Sequence, residues 1–359
     1  MKKKLLIALL AISAALCCAF GFAACGNGEK TYTDEQGVVY SLTNNEYTVT
    51  SVNNTDLASV EILEEINGKP VTALGSYAFS NCSTTLKTVT LPDSIEEIGN
   101  YAFMNCKFDG ITLPENLKII GTGAFSGCKS LEEITLPDGV SELNDGTFSD
   151  CKSLAKVNLP DSLVSVDRRC FKNCEALQSI TLPQNVKTVG ESAFEGCAML
   201  SEIELSANLT SIGKNAFNGR GSLLRVTTEG GQSSYFSLPQ SVTEIGYGAF
   251  RDCAKLRFAN VPDNVTVIET GVFNGCSALE TVIIGNKVNK IEYEAFGGCP
   301  TIMSVYFPLS LQEIEVGAFE INSGVTVHYA GTKEQWEEIK GEGKGFVIKP
   351  IDFNAPVAA

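Results

Sequence analysis

The regular recurrence of phenylalanine is the feature that most constrains how this chain folds. Eleven phenylalanines occur mostly 23 residues apart, with one longer step of 33 residues between Phe217 and Phe250. They are Phe79, Phe103, Phe125, Phe148, Phe171, Phe194, Phe217, Phe250, Phe273, Phe296 and Phe319. A fixed period of this size predicts a solenoid, because each unit is too small to bury its apolar face alone and stacks on its neighbours. Such an array argues against a compact catalytic domain.

Each unit follows the pattern L-x-x-I-x-L-P-x-x-V-x-x-I-G-x-x-A-F-x-x-C. The first six positions end in alternating apolar and polar residues, which predicts a short strand with one buried face. Proline stops that strand because it has no N–H for the ladder. These prolines are Pro92, Pro114, Pro137, Pro160, Pro183, Pro239, Pro262 and Pro308. One short strand per unit predicts a parallel sheet along one face of the coil.

The remaining positions of the unit turn the chain back and fill its interior. Glycine often follows the last aliphatic residue, at Gly99, Gly121, Gly190, Gly213 and Gly246. We expect a positive φ at these corners, which glycine adopts at no steric cost. The phenylalanines are expected to form a buried spine, in which each ring contributes about 1.5–3 kcal/mol by burial. Rungs about 4.8 Å apart then build a rod about 50 Å long.

The repeated motif resembles the BspA-like leucine-rich repeats of bacterial surface lipoproteins over about residues 60–320. The flanks are similar as well. Residues 65–71 look like the family's lead-in, residues 325–329 like its terminal strand, and residues 331–336 like its short closing helix. The resemblance implies a curved, right-handed leucine-rich-repeat solenoid, mainly β, with binding or adhesion roles and no catalytic residues.

The chain divides into six segments on this reading. They are a lipoprotein signal peptide (1–24), a flexible tether (25–30), an N-terminal β cap (31–59), a solenoid of about eleven repeats (60–324) with an insertion near 229–238, a C-terminal strand–helix cap (325–353) and a tail (354–359). The cap prediction at the N-terminus comes from two strand-like runs around Asn44 and Asn45, which is a hairpin signal.

The N-terminal segment predicts export and lipid anchoring. Three lysines precede an apolar run, and Phe22-Ala23-Ala24-Cys25 fits a bacterial lipobox, in which Cys25 is acylated. Two alternatives stay open, namely ordinary signal cleavage and an uncleaved transmembrane anchor. The lipobox favours a protein held at the cell surface by an N-terminal lipid.

The net charge of −15 bears on which partners the protein can bind. An acidic surface argues against nucleic acid and against anionic lipid contacts beyond the anchor. The charge is otherwise typical of a solvated surface.

The thirteen cysteines invite a disulfide interpretation in an exported protein. Nine of them, however, recur at one position of the unit, and Cys170 takes an alanine position. Gly219-Arg220 replaces the cysteine of one unit without breaking the period. A column of small, buried, free thiols explains this pattern better than disulfides do. We expect no metal site, because no short Cys-x-x-Cys pair or histidine cluster occurs.

Candidate catalytic residues are lacking. No nucleophile elbow, phosphate loop or zinc-protease motif is present. His328 is the only histidine and lies in an alternating strand, which favours a partly exposed strand residue over a base or ligand. Glu202 and Glu204 share a strand face but look like solvated surface. We therefore expect neither an enzyme nor a cofactor.

The candidate binding surface lies on the outward face of the predicted sheet. In the N-terminal half that face carries small polar residues, whereas Phe258, Ile283 and Tyr306 point outward on successive rungs farther along. Contiguous exposed apolar groups mark interaction sites. The alternative is that the curved sheet or a loop covers them. The insertion, which contains Tyr235, predicts a projecting loop at the edge of this surface.

Two function classes follow. One is a surface-displayed module that binds an unidentified protein or glycan on the exposed sheet face. The other is a structural or accessory envelope protein without a dedicated external ligand.

Overall fold

The computed structural model describes residues 30–82, 84–219, 223–228, 236–319, 325–341 and 351–355. In this part the chain winds into a parallel β-solenoid of about 12 turns, which confirms the predicted fold class. A three-residue 3₁₀ turn spans Ser80–Cys82, and helix α1 spans Lys333–Glu338. The strands are β1 (Lys30–Thr33), β2 (Val38–Thr43), β3 (Glu46–Val52), β4 (Ser59–Glu61), β5 (Glu65–Ile66), β6 (Lys69–Leu74), β7 (Thr88–Thr90), β8 (Glu97–Ile98), β9 (Ile119–Ile120), β10 (Glu133–Thr135), β11 (Glu142–Leu143), β12 (Lys156–Asn158), β13 (Ser165–Val166), β14 (Ser179–Thr181), β15 (Thr188–Val189), β16 (Glu202–Leu205), β17 (Ser211–Ile212), β18 (Arg225–Thr228), β19 (Glu244–Ile245), β20 (Phe258–Asn260), β21 (Val267–Ile268), β22 (Thr281–Ile283), β23 (Lys290–Ile291), β24 (Ser304–Phe307), β25 (Glu313–Ile314), β26 (Thr326–Tyr329) and β27 (Ile351–Phe353).

The predicted strand of each unit forms what we call the broad series. Its parallel ladders run β4–β7, β10–β12, β14–β16–β18 and β20–β22–β24–β26–β27. Equivalent residues of successive units lie opposite each other, as Ile134 does to Val157. The central residue of each strand points into the core and its neighbours point outward, because successive side chains of a strand alternate between faces.

A second series of strands, all but the first only two residues long, was not predicted. It lies at the Val-x-x-Ile part of the unit, and its ladders run β6–β8–β9, β11–β13–β15–β17–β19 and β21–β23–β25. We call it the narrow series. Where both series are continuous, as from β14 to β16 and from β15 to β17, one turn of the solenoid bonds to the next on two sides.

The phenylalanines lie in one continuous stack. All eleven are buried, and consecutive ring centroids are 4.7 to 5.5 Å apart. The stack continues across the long step, because Phe217 and Phe250 lie 5.2 Å apart at an interplanar angle of 11°. The phenylalanine stack is therefore continuous across the long step.

The cysteines hydrogen-bond along the same column. All ten described cysteines are buried free thiols. The thiol of Cys174 lies 3.2 Å from the carbonyl oxygen of Phe148 on the preceding turn, and Cys197 lies 3.1 Å from that of Phe171. Each thiol of this kind links one turn to the next.

The corner glycines do not have the positive φ angles that we expected. Gly99, Gly121, Gly190, Gly213 and Gly246 do not have a positive φ. A Cβ on Gly99 would instead lie 2.7 Å from the carbonyl oxygen of Leu74, and one on Gly190 would lie 2.5 Å from the backbone nitrogen of Arg168. Glycine is needed here because the backbones of successive turns approach too closely for a side chain.

The positive φ angles occur at two other positions of the unit. One lies two residues after the phenylalanine, as at Asn105 and Asp150. The other lies two residues before it in every unit, at Tyr77, Tyr101, Gly123, Gly146, Arg169, Ser192, Asn215, Gly248, Gly271, Glu294 and Gly317. The chain therefore reverses through left-handed residues on both sides of each ring.

The two ends differ from the repeats. The predicted hairpin at Asn44 and Asn45 is present, with antiparallel β2 and β3 and φ angles of 52° and 73° at its turn. The side-chain amide of Gln36 bonds to both the N–H and the carbonyl of Glu61 on the edge strand β4. At the other end Trp336 of α1 is buried against Phe307 and Tyr329. The cap function of these segments stays a prediction.

Candidate binding surface

Paired polar groups cover the outward face of the broad series in its N-terminal half. Arg225 of β18 forms an ion pair with Glu202 of β16 at 3.2 Å. Asn158 donates a hydrogen bond from Nδ2 to Oγ1 of Thr135 at 2.8 Å. In these two pairs, polar groups of adjacent rungs bond to each other, so part of the polar surface of this half is already paired within the protein.

The outward face of β20, β22, β24 and β26 has a different character, and we call it the C-terminal face. Its residues form two columns that follow the ladder register. They are Phe258, Thr281, Ser304 and Thr326 in one column, and Asn260, Ile283, Tyr306 and His328 in the other. The structure thus brings Ile283 and Tyr306 together in one column, whereas Phe258 begins the neighbouring column.

The three sequence-predicted residues of this face are partly buried. Phe258, Ile283 and Tyr306 each have intermediate exposure, and Phe258 also packs against the hydrophobic core. Close neighbours explain this, because rungs about 4.8 Å apart shield the flanks of every outward side chain. Each of the three residues nevertheless remains partly exposed.

His328 extends the C-terminal face beyond the predicted residues. Its ring stacks on Tyr306 with centroids 4.3 Å apart and an interplanar angle of 8°. Its Nδ1 lies 3.2 Å from Oδ2 of Asp352 on β27, which is paired with β26. Tyr306, His328 and Asp352 therefore hold one another in place at the end of the column.

These contacts were only partly readable from the sequence. The alternation Val-Thr-Val-His-Tyr places His328 in the same outward register as Tyr306. Asp352 lies outside the repeated part of the sequence, so no sequence signal connected it with this face.

The chemistry available here is recognition. Among the described residues, no three histidine, cysteine or acidic side chains are grouped so as to hold a metal ion. An aromatic ring with a polar edge, an aliphatic side chain and hydroxyl groups form the C-terminal face. Such groups supply contact area and hydrogen bonds to a partner.

The buried thiols are unsuited to reaction. Burial raises the pKa of Cys151, Cys197 and Cys253 to about 12. A thiol with so high a pKa carries almost no thiolate at neutral pH, and the thiolate is the nucleophile. These cysteines are part of the framework.

Two predicted sites fall outside the described residues, namely the lipidation site Cys25 and Tyr235 of the insertion. The chain is described again from Phe236. That ring is buried and contacts Phe250 edge-on, with centroids 5.1 Å apart. The N–H of Ser237 donates to the carbonyl of Val226 at 2.8 Å. The described residues on the two sides of the insertion therefore lie next to each other.

The fold and this face define a leucine-rich-repeat solenoid, a class of scaffold that commonly binds proteins on its extended sheet surface. The profile of the BspA type leucine rich repeat region matches residues 50–176, 119–233 and 230–326. The chain therefore belongs to the BspA-type leucine-rich-repeat family.

Solved structures of bacterial proteins are similar to this chain, and the first one named below has the same fold. A leucine-rich repeat protein from Bacteroides ovatus is 23% identical with a TM-score of 0.53, and the match covers 92% of this chain and 100% of that chain. A leucine rich cell surface protein from Faecalibacterium prausnitzii is 25% identical with a TM-score of 0.48, at 88% and 98% coverage. The pneumococcal vaccine antigen PcpA is 19% identical with a TM-score of 0.44, at 91% and 99% coverage.

A search of curated proteins finds no match. Within the residues that the structure describes, no helix is long and apolar enough to cross a membrane.

Proposed function

We propose that this protein is a lipid-anchored binding module displayed on the bacterial surface, and that its partner, a protein or a glycan, binds at the C-terminal face. Family membership and the N-terminal lipobox support display, with Cys25 as the acylated residue. The solenoid supports binding, because stacked repeats present an extended surface.

One contrast carries the choice of surface. The outward residues of β20, β22 and β24 are uncharged and include Phe258, Ile283 and Tyr306. In the other half, β10, β12, β16 and β18 each carry at least one outward charge. The central part of a protein interface is depleted of charged residues and enriched in aromatic ones. Aromatic anchors also carry a large share of the binding energy.

A paired substitution tests this proposal. Ile283→Thr with Tyr306→Thr gives the C-terminal face the residue that Thr181 supplies on β14, and threonine suits an exposed strand. Phe258 is left in place because it also packs against the core. The matched control is Thr135→Ala with Thr181→Ala in the other half.

The mature protein and both variants are immobilised and exposed to surface extracts of neighbouring and host cells. We expect a partner that the native protein and the control retain and that the face variant binds more weakly by about 2 kcal/mol or more. Equal retention by all three proteins contradicts the proposed surface. Retention of nothing by the native protein favours the alternative, a structural envelope protein without an external ligand.

A further inference from the structure

A second surface lies at the opposite end of the molecule, on the turn that precedes each phenylalanine. We call it the tyrosine strip, and it consists of Tyr77, Tyr101, Gly123, Gly146 and Arg169, which take the same position in five successive units. None of these residues belongs to the broad series of strands. The strip is therefore separate from the C-terminal face.

Tyrosine is an unexpected residue at this position. Tyr77 and Tyr101 have φ angles of 60° and 55°, in the left-handed region that glycine fills in five of the eleven units. A bulky side chain is disfavoured there, and such residues concentrate at functional sites. Tyr77 is nevertheless 51% exposed, so burial in the core does not account for it.

The two rings form an ordered platform. Their centroids lie 5.0 Å apart at an interplanar angle of 17°. Tyr101 extends over Gly123, where an added Cβ would collide with its ring. Tyr77 begins the column and is half exposed. The platform is thus rigid before any ligand arrives, which lowers the entropy lost on binding.

Beyond the platform the strip carries a lightly covered glycine and then a cluster of charged groups. The nearest atom to a Cβ built on Gly146 is 3.7 Å away, in Ser149, which is an ordinary contact distance. Arg169 bonds to Asp145 through Nε at 3.1 Å and Nη2 at 2.7 Å, and Arg168 bonds to the same carboxylate at 2.7 Å. The hydrogen bonds that Arg169 donates to Asp145 raise the pKa of Arg169, and nearby Tyr101 adds to that shift.

These features together indicate which class of ligand fits the tyrosine strip. The platform offers an aromatic face, whose negative charge attracts the C–H face of a sugar ring. The Arg–Asp cluster offers N–H donors and a carboxylate acceptor, and a hydroxyl group can use both kinds of group. The cluster keeps one net positive charge, but the net charge of −15 on the chain disfavours an anionic ligand. A protein partner needs about 800 Å² of contact surface, and the strip has only two large apolar side chains.

We propose that the tyrosine strip binds a neutral oligosaccharide, with a sugar ring stacked on the tyrosines and hydroxyl groups bonded to the Arg168–Arg169–Asp145 cluster. This site is independent of the partner proposed for the C-terminal face.

The test replaces both tyrosines with the residue that the fold prefers, as Tyr77→Gly with Tyr101→Gly. Since glycine adopts a positive φ freely, we expect an unchanged or higher melting temperature. The probes are laminarin, xylan, soluble starch and yeast mannan, and binding is measured by affinity electrophoresis of the mature protein. We expect at least one probe to bind the native protein. The affinity of the glycine variant for that probe should be lower by about tenfold or more.

Tyr293→Ser is the control, because Tyr293 is 46% exposed in another unit. It should bind the probe like the native protein. Three outcomes overturn the proposal. They are no binding of any probe by the native protein, equal binding by the glycine variant, or a melting temperature several degrees lower in that variant, which would assign the tyrosines to stability. None of these results bears on the C-terminal face.

Discussion

The carbonyl oxygen of a spine phenylalanine accepts two hydrogen bonds. That of Phe148 accepts one from the N–H of Cys151 at 3.2 Å and one from the thiol of Cys174 at 3.2 Å. A carbonyl has two lone pairs, and a buried one is costly to leave unpaired. Cysteine suits this position because it is small, apolar and still a weak donor. Alanine has no donor, and serine is not apolar.

At this scale the aromatic spine predicts a large cost for removing one ring. Phe194 lies between Phe171 and Phe217, with centroid distances of 5.3 and 5.4 Å. Phe194→Ala should lower the free energy of unfolding by about 3–5 kcal/mol, because it leaves a cavity in a packed core. Urea unfolding measures the change. A shift no larger than that of the exposed Thr181→Ala would refute the importance of the spine.

The thiols predict how stability depends on alkaline pH. Burial raises the pKa of Cys151, Cys197 and Cys253 to about 12 in the folded protein, whereas an unfolded thiol ionises near pH 8.5, roughly. The unfolded chain therefore releases protons in this window while the folded chain retains them. Stability is complete below the unfolded pKa and falls as pH rises from about 8.5 towards 12.

Melting temperatures measured across this pH range test that slope. A variant with all three cysteines replaced by alanine should show a smaller decline, although it starts from a lower stability. Parallel curves for the two proteins would show that other groups cause the alkaline effect.

At the scale of the element, substitutions of glycine test whether the corner positions need glycine because of close backbone contact. Gly190→Ala should cost about 1–3 kcal/mol, because its Cβ would lie 2.5 Å from the backbone nitrogen of Arg168 and force two turns apart. Gly110 is the control, since a Cβ there has no atom within 4 Å. Gly110→Ala should be neutral or slightly stabilising. Thermal unfolding of both variants checks the pair, and equal effects would disprove the contact explanation.

The same elements show what the sequence could predict. The broad strands were readable because three residues with alternating polarity leave a pattern, as in Glu133-Ile134-Thr135. The narrow strands have two residues each, which is too short for an alternation to appear. The left-handed position was hidden because tyrosine, arginine and glutamate occupy it in some units. Sequence spacing also does not reveal whether a glycine is required for a positive φ angle or for the close approach of a neighbouring backbone.

The candidate site was predictable to a similar degree. Ile283 and Tyr306 followed from the strand register, and the structure places them in one column. Asp352 could not be predicted, because its strand β27 lies outside the repeat. Its contact with His328 depends on the pairing of β27 with β26.

For the whole molecule, the lipid anchor is the prediction that determines where the solenoid acts. Cys25→Ser should leave the precursor unprocessed or release the protein from the membrane fraction, because serine has no thiol to receive the diacylglyceryl group. Fractionation with mass spectrometry of the N-terminus measures both outcomes. A native protein with an intact Met1 or a lipid-free N-terminus contradicts the anchor, and Cys174→Ser serves as the control because its thiol lies inside the solenoid.

The stacking of turns also determines how the molecule carries mechanical force. If it is tethered at its N-terminus and holds a partner at its C-terminal face, tension passes from turn to turn through the bonds that join them. Contacts loaded in series fail at the weakest junction. Within the described strands, no broad-series ladder joins β7 to β10, β12 to β14 or β18 to β20, and no narrow-series ladder joins β9 to β11 or β19 to β21. A stretched molecule would therefore open first at one of these junctions, and the turn that bears the insertion is one of them.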